Sequence, residues 1–462
     1  MADLVIYNAT ILTMDKKRRI IKDGAVAISD TKIVAVGKTD DIKKEYKADK
    51  EIDANGNILM PGLINTHSHL FQSLGKNLGT DTDLLGWFKA AWAPLVMGMT
   101  KEDYYNAVLL GVLEAIKTGT TTVLGYEHAL NAHPDAADLV VKALQESKIR
   151  GILGYGYQDT GKDIGAPEIA LRDTNAIVKD LEYMLKKYHR TSNDLIRIWL
   201  APGTMNWCSD ELIEETKRLA REYNTGITIH MDETRAEYEF SKKTRGVPEI
   251  AYAHKKGLLG PNMLAVHTVW ADDEEIKLLA ETDTKVSHNP LSNMYLASGV
   301  APIPKMLKAG ITVGIATDGP TSNNNHDMFD VIRVTPLLQK VANLDPKALT
   351  AEQTLEMATI MGARAVLLDD LVGSIEVGKQ ADLIIVDIHL PNTTPMAYHP
   401  AALVYSASSE NVTTTIVNGE ILMENRKVLH LDEQAILKNA QKSLDEILER
   451  TEHPEEIRWP YE

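Results

Sequence analysis

The sequence predicts an α/β fold: a (β/α)8 barrel of the TIM type, with a small β-sandwich domain built from both chain ends. Three observations carry that expectation. Both ends read as short strands joined by turns, the middle alternates short apolar runs with longer helical stretches, and 462 residues exceed one ordinary core.

In residues 1–58 the strand-like runs are Leu4–Ile6, Ile11–Met14, Ala25–Ser29 and Ile33–Val36, with Asp23-Gly24 and Val36-Gly37 as turn signals. Residues 59–372 carry the alternating pattern, with runs at Thr120–Leu124, Arg150–Leu153, Ile196–Ala201, Gly226–His230, Met263–His267, Lys285–His288 and Thr312–Ala316. Parallel βα units produce such a pattern, and about eight of them suggest a closed barrel. Residues 373–462 return to short strands at Asp382–Val386 and Val412–Val417, with Asn418-Gly419 as a hairpin turn before Glu420–Met423. Residues 432–450 have the period of an amphipathic helix.

Composition narrows the function classes. A hydrophobic fraction of 44% and a charged fraction of 25% are those of a soluble globular protein. No apolar run approaches the roughly 18 residues a membrane span needs, and the start of the chain lacks a signal-peptide pattern. The single cysteine, Cys208, precludes an intramolecular disulfide, so a reducing cytoplasm is expected. Forty-nine basic residues against 65 acidic ones leave a net charge of −16 without a basic stripe, which argues against nucleic acid and anionic membranes as partners. A small-molecule substrate and a homo-oligomeric assembly are the expectations that remain.

The most telling stretch is Asn57-Ile-Leu-Met-Pro-Gly-Leu-Ile-Asn-Thr-His67-Ser-His69, an apolar run ending in two histidines. Alternate side chains of a strand point the same way, so both imidazoles can face one cavity. His67 and His69, His230, His267, His288 and Asp318 each terminate apolar runs, where a barrel keeps its chemistry. Three histidines and a carboxylate suit Zn²⁺ or Fe²⁺ with room for one water. Glu233, three residues after His230, is placed to carry protons between that water and a leaving group. Asp318 can bind metal and accept the water's proton, and His267 can hydrogen-bond the water. Asp232 and Glu237 read as loop or helix-start acids.

The motifs Pro-Gly-Leu-Ile-Asn-Thr-His-Ser-His, Gly-Thr-Thr-Thr, His-Met-Asp-Glu-Thr, Ser-His-Asn-Pro-Leu-Ser-Asn, Thr-Asp-Gly and Gly-Ser-Ile-Glu-Val-Gly-Lys-Gln-Ala-Asp-Leu span nearly the whole chain. Together they resemble the amidohydrolase superfamily, in its branch of metal-dependent aminohydrolases of heterocycles. The resemblance implies metal on His67, His69, His230 and Asp318, Glu233 as proton shuttle and His267 as partner of the attacking water. Two-metal members carry a carboxylated lysine at the end of the fourth strand. Ile196-Arg-Ile-Trp-Leu-Ala-Pro-Gly203 has none, so one divalent ion is expected, zinc before iron. The implied reaction is hydrolytic deamination, in which metal-activated hydroxide attacks the amine-bearing ring carbon.

Related deaminases of methylthioadenosine and S-adenosylhomocysteine carry a histidine where Gly203 stands, and often a glutamate where Gly86 stands. Both departures turn the expected substrate towards an oxopurine or similar free base. The stretch Gln72-Ser-Leu with Asp83-Leu-Leu-Gly-Trp87-Phe-Lys-Ala-Ala-Trp92 is similar to the 8-oxoguanine deaminase group. The adenosine-derivative deaminases and the s-triazine hydrolases are the alternatives. A non-enzymatic scaffold fits poorly, since Glu233 and Asp318 are both present.

Five residues are expected to touch substrate: Gln72, whose amide both donates and accepts; Trp87, as a stacking surface; and His128, Tyr157 and Asn293 after their strands. Tyr126, Glu127, Tyr155 and Gln158 can also reach the pocket. Asn289, Ser322, Asn323 and Asn324 read as supports of their loops.

Overall fold

The computed structural model describes residues 2–82, 84–162 and 168–453; Asp83 and the chain beyond 453, both covered by the expectations above, lie outside the described residues. In chain order the strands are β1 (Ala2–Leu12), β2 (Ile20–Ser29), β3 (Lys32–Lys38), β4 (Ala48–Asp53), β5 (Ile58–Pro61), β6 (Leu63–Ser68), β7 (Thr120–Glu127), β8 (Arg150–Tyr157), β9 (Ile196–Pro202), β10 (Ile227–Met231), β11 (Met263–His267), β12 (Lys285–His288), β13 (Val313–Ile315), β14 (Leu383–Val386), β15 (Val412–Val417), β16 (Glu420–Glu424) and β17 (Lys427–Val428). They form two sheets.

The barrel sheet runs from β6 to β13 in sequence order. Its pairs are all parallel, as helical crossovers between consecutive strands require. The seam between first and last strands is closed by a parallel bridge between Ser68 and Asp318, with Asp318 N donating to His67 O at 3.1 Å. Below it, Asn65 Nδ2 donates to Thr317 Oγ1 at 2.7 Å. Closure of the barrel is therefore what brings the histidine pair against Asp318. At the opposite mouth Ile64, Ile152 and Leu264 pack with Ala363, Ala365 and Val366 of the Ile360–Ala365 helix region, so the barrel is plugged there.

The second sheet has the order β17-β16-β15-β14-β5-β1-β2-β3, with β4 paired to β1. The antiparallel pairing of β5 with β14, Leu59 opposite Ile385, joins the two chain ends. Leu4, Ile6, Val26, Ile28, Leu383 and Ile416 are among its buried apolar residues. A buried bidentate pair, Arg150 Nε and Nη2 to Asp382 at 2.8 and 3.0 Å, ties β8 of the barrel to the start of β14.

Several expectations need correction in detail. The run from Ile58, expected as one buried strand opening the barrel, is two strands in two sheets. Gly62 N bonds Asp382 O on the terminal sheet, while Leu63 N bonds Gly119 O on the barrel. A Cβ at Gly62 would lie 2.1 Å from Thr121 Cγ2, so the crossing occurs where the chain has no side chain. The chain changes sheet there, not between residues 58 and 59. The runs Leu4–Ile6 and Ile11–Met14 are joined in one strand that ends at Leu12, its register shifted on either side of Ala9, with Asn8 left-handed at φ 54°. The strand β4 escapes the sequence pattern because Ala-Asp-Lys-Glu-Ile-Asp is mostly exposed and polar. The final helix, Glu433–Arg450, is N-capped by Asp432, whose side chain accepts from Ala435 N. Among the described residues no helix is long and apolar enough to cross a membrane.

Candidate active site

The polar ends of the barrel strands converge on one spot. Ring nitrogens of His67, His230 and His267 lie within 4.8 Å of one another, as do donor atoms of His67, His69 and Asp318. His67 Nε2 is 3.3 Å from His69 Nε2 and 3.4 Å from Asp318 Oδ1, and His69 Nε2 is 3.2 Å from the same oxygen. Four ligands set tetrahedrally about 2.0–2.2 Å from a zinc-sized ion stand roughly 3.3–3.6 Å apart, so these spacings suit an ion at their centre. The rings of His230 and His69 lie nearly parallel, with centroids 5.4 Å apart.

Local structure holds each donor. His69 Nδ1 pairs with Tyr126 O, and His230 Nδ1 faces Gly203 O at 3.4 Å, leaving the Nε2 atoms to point inward. The backbones of His267 and Asp318 are left-handed, φ 69° and 62°, where their chains turn out of the strand plane. Glu127 accepts from Leu70 N at 2.8 Å and Phe71 N at 3.0 Å, so it braces the turn after His69. Glu237 caps its own helix from within a capping box with Thr234.

Burial and hydrogen bonding together shift the titrating groups. Burial pushes the His67 imidazole down to about 4. His230 is held well below the ordinary range, first by burial and then by its imidazole neighbours. Neutral imidazoles are the form that ligates metal. Asp318 sits well below the usual carboxylate range, because hydrogen bonds from His67 and His69 outweigh a burial that would raise it. Glu233 is pushed the other way, by burial and then by the nearby Glu237 and Asp318 charges. Its carboxylate is 3.5 Å from His267 Nε2. Two acids at one site thus have opposite tendencies, one anionic and one protonated.

A cavity of about 620 Å³ opens over this cluster. His69, His230, Glu233, His267 and Asp318 are at its base. Trp87, Phe88, Trp92, Trp207 and Trp270 supply apolar wall, and Gln158, Thr204 and Ser298 are among its polar groups. Such a space is far larger than a bicyclic ring alone fills and is in the range of sites for drug-sized ligands.

Of the five residues expected to touch substrate, Trp87 and His128 line this cavity. Trp87 is anchored by Nε1 to Thr321 O at 3.1 Å, and His128 pairs with Trp92 Nε1. The other three are corrected by the structure. Gln72 is fully buried behind the cluster, its Oε1 accepting from Thr321, because it sits on the 3-10 turn that packs beneath the loop after β13. Tyr157 points outward from the barrel, and its hydroxyl pairs with Thr216 on the Asp210–Glu222 helix at 2.7 Å. Asn293 holds His267 through Oδ1 and Nδ1 at 2.9 Å and so touches the water partner, not the cavity. His288 joins neither donor group and does not line the cavity. Tyr155 stays outside it too, whereas Tyr126, Gln158 and Ser322 line it. Trp207 and Trp270 escape the sequence pattern, since single aromatics in loops leave no periodic signal.

A parallel barrel with imidazoles and a carboxylate gathered at the C-terminal ends of its strands defines a class, a barrel enzyme built around a metal centre. Residues 58–422 match the model of the Amidohydrolase family. The chain belongs to that family. A 5′-deoxyadenosine deaminase of Methanobrevibacter smithii is 40% identical over 427 residues, 92% of this chain and 94% of that protein. A 5-methylthioadenosine/S-adenosylhomocysteine deaminase of Thermoanaerobacter pseudethanolicus is 35% identical, covering 97% of this chain and 100% of its own. An adenosine deaminase from Xanthomonas campestris, solved with bound zinc, superposes with a TM-score of 0.89 at 29% identity, over 96% of this chain and 98% of that one.

Proposed function

We propose that the protein is a hydrolytic deaminase of an amine-bearing heterocycle, with a 5′-deoxy or 5′-substituted adenosine as its substrate class. The observation that carries the reaction is the joint placement of Glu233, His267 and Asp318 beside the histidine cluster at the base of one cavity. The oxopurine preference read from Gly86 and Gly203 yields here to the adenosine alternative. The relatives named above support that choice, and so does a cavity with room for a sugar beside the ring.

A divalent ion, zinc first, held by His67, His69, His230 and Asp318 would supply Lewis acidity and a nucleophile at neutral pH. The chain's own residues do the rest. Asn293 fixes the His267 ring, which hydrogen-bonds the incoming water; Asp318 accepts a proton from that water. Glu233 delivers a proton to the ring nitrogen beside the attacked carbon. Asp318 passes the proton it took to the exocyclic amine, the bond to that amine breaks and ammonia leaves; Glu233 recovers a proton from the hydroxyl left on the carbon, so the ring keeps the water's oxygen as a carbonyl. The aromatic walls exclude bulk water and stack on the ring. Cys208, single and buried, is compatible with a reducing cytoplasm.

The test is ammonia release by the zinc-loaded protein over 5′-deoxyadenosine, methylthioadenosine, S-adenosylhomocysteine, adenosine, 8-oxoguanine, guanine and an aminotriazine. Adenosine derivatives should lead. Glu233→Gln should keep its metal and lose roughly 10²-fold or more in kcat. Absence of ammonia from every aminated ring would overturn the proposal, and an unchanged kcat in the variant would remove Glu233 from its role.

A further inference from the structure

Gly203 directly follows β9, and its carbonyl accepts from the Tyr126 hydroxyl at 3.3 Å while facing His230 Nδ1. Its backbone is not in the left-handed region, so glycine is not required there by conformation. Space requires it. A Cβ at 203 would lie 2.6 Å from Gln158 Oε1, a separation real side chains do not adopt. The Gln158 side chain occupies the room that a residue at 203 would take.

Gln158 is held at its backbone, where its carbonyl accepts from Asn131 Nδ2 at 2.9 Å and Arg172 N at 3.3 Å. Its side chain is only 5% exposed and lines the cavity. Among the described residues its amide makes no hydrogen bond, and it lies where a molecule in the cavity would reach it. That amide is carried on a backbone held at its carbonyl, at the edge of the cavity.

We propose that Gln158 is a specificity-determining residue, its amide hydrogen-bonding a hydroxyl pair on the substrate such as that of a ribose. This rests on the deaminase reading above. The reasoning is one of complementarity: the amide both donates and accepts, as a hydroxyl does, whereas an unsubstituted ring nitrogen can only accept. A residue at 203 with any side chain displaces this amide, so the identities of residues 158 and 203 are coupled.

The experiment uses the zinc-loaded full chain with 5′-deoxyadenosine and its 2′,3′-dideoxy counterpart. Gln158→Ala should raise KM for the ribonucleoside about tenfold, with kcat little changed, as expected for one lost hydrogen bond in a dry site. KM for the dideoxy compound should not move. Gly203→Ala should raise KM in the parent and add little in the Gln158→Ala background, because the displaced oxygen is already gone. Equal losses on both substrates would overturn the hydroxyl assignment, and unchanged KM would overturn any contact. Strictly additive effects of the two substitutions would overturn the coupling. Calorimetric binding of 5′-deoxyinosine and its dideoxy analogue should show the same pattern without turnover. Failure of the deaminase reading, seen in the parent's ammonia assay, is thus told apart from failure of this one.

Discussion

Replacing Asp382 with Asn removes one charge from a buried pair without changing its size. Asp382 accepts from Arg150 Nε at 2.8 Å, from Nη2 at 3.0 Å and from Asn418 N at 2.8 Å, and both charged side chains are 1% exposed. An asparagine can keep the oxygen that serves Nη2 and Asn418. Its amide nitrogen then faces Arg150 Nε, two donors with no acceptor between them. The guanidinium cannot shed its proton, and water cannot reach it. One charge-assisted hydrogen bond is worth roughly 1.5–3 kcal/mol. Adding the uncompensated buried charge brings the expected loss to about 3–5 kcal/mol. That loss falls where the barrel meets the terminal sheet, since Arg150 opens β8 and Asp382 immediately precedes β14. Urea unfolding at saturating zinc measures it with metal linkage held constant. The double variant Arg150→Met/Asp382→Leu should recover most of the stability, because neither charge remains to be solvated. A single-variant loss under about 1 kcal/mol, the range of exposed pairs, would refute the reasoning.

Three further outcomes follow from the site and its surroundings. His230→Ala should leave the purified protein with little bound zinc, and near-stoichiometric metal in that variant would remove His230 from the ligand set. Asn293→Ala should retain metal yet lower kcat about tenfold or more, because the His267 ring loses the partner that orients it; full activity would make Asn293 mere filling. Burial holds the carboxyls of Glu249 and Glu275 at about 8 and about 7, above their ordinary 4.5. The folded chain therefore keeps protons that the unfolded chain releases, so this contribution to stability is full below about 4.5 and is lost as pH rises towards 8. Glu249→Gln should flatten the fall in urea midpoint between pH 5 and pH 8, and an unchanged slope would exclude Glu249 as its source.

The cluster of polar strand ends is legible in the sequence. His67 and His69 at i, i+2 in an apolar run face one way in any strand, and His230, His267 and Asp318 each close another run. The errors have one cause. Nearness in sequence to strand ends points Gln72, Tyr157 and Asn293 at the pocket, but which way a side chain turns after a strand depends on what packs against it. Thr321 draws Gln72 behind the cluster, Thr216 draws Tyr157 outward, and His267 takes Asn293. The aromatic walls from Trp207 and Trp270 come from separate loops and carry no period to detect.

Periodicity and strand-end chemistry, both local properties of the chain, sufficed for the barrel, for the terminal sheet from both ends and for the histidines and aspartate that the fold gathers. Only the tertiary structure decided that barrel closure sets His67 beside Asp318, that the chain changes sheets at Gly62, and that Gln158 fills the space left by Gly203. Each of those depends on contact between segments far apart in sequence, and no local pattern encodes the distance between them.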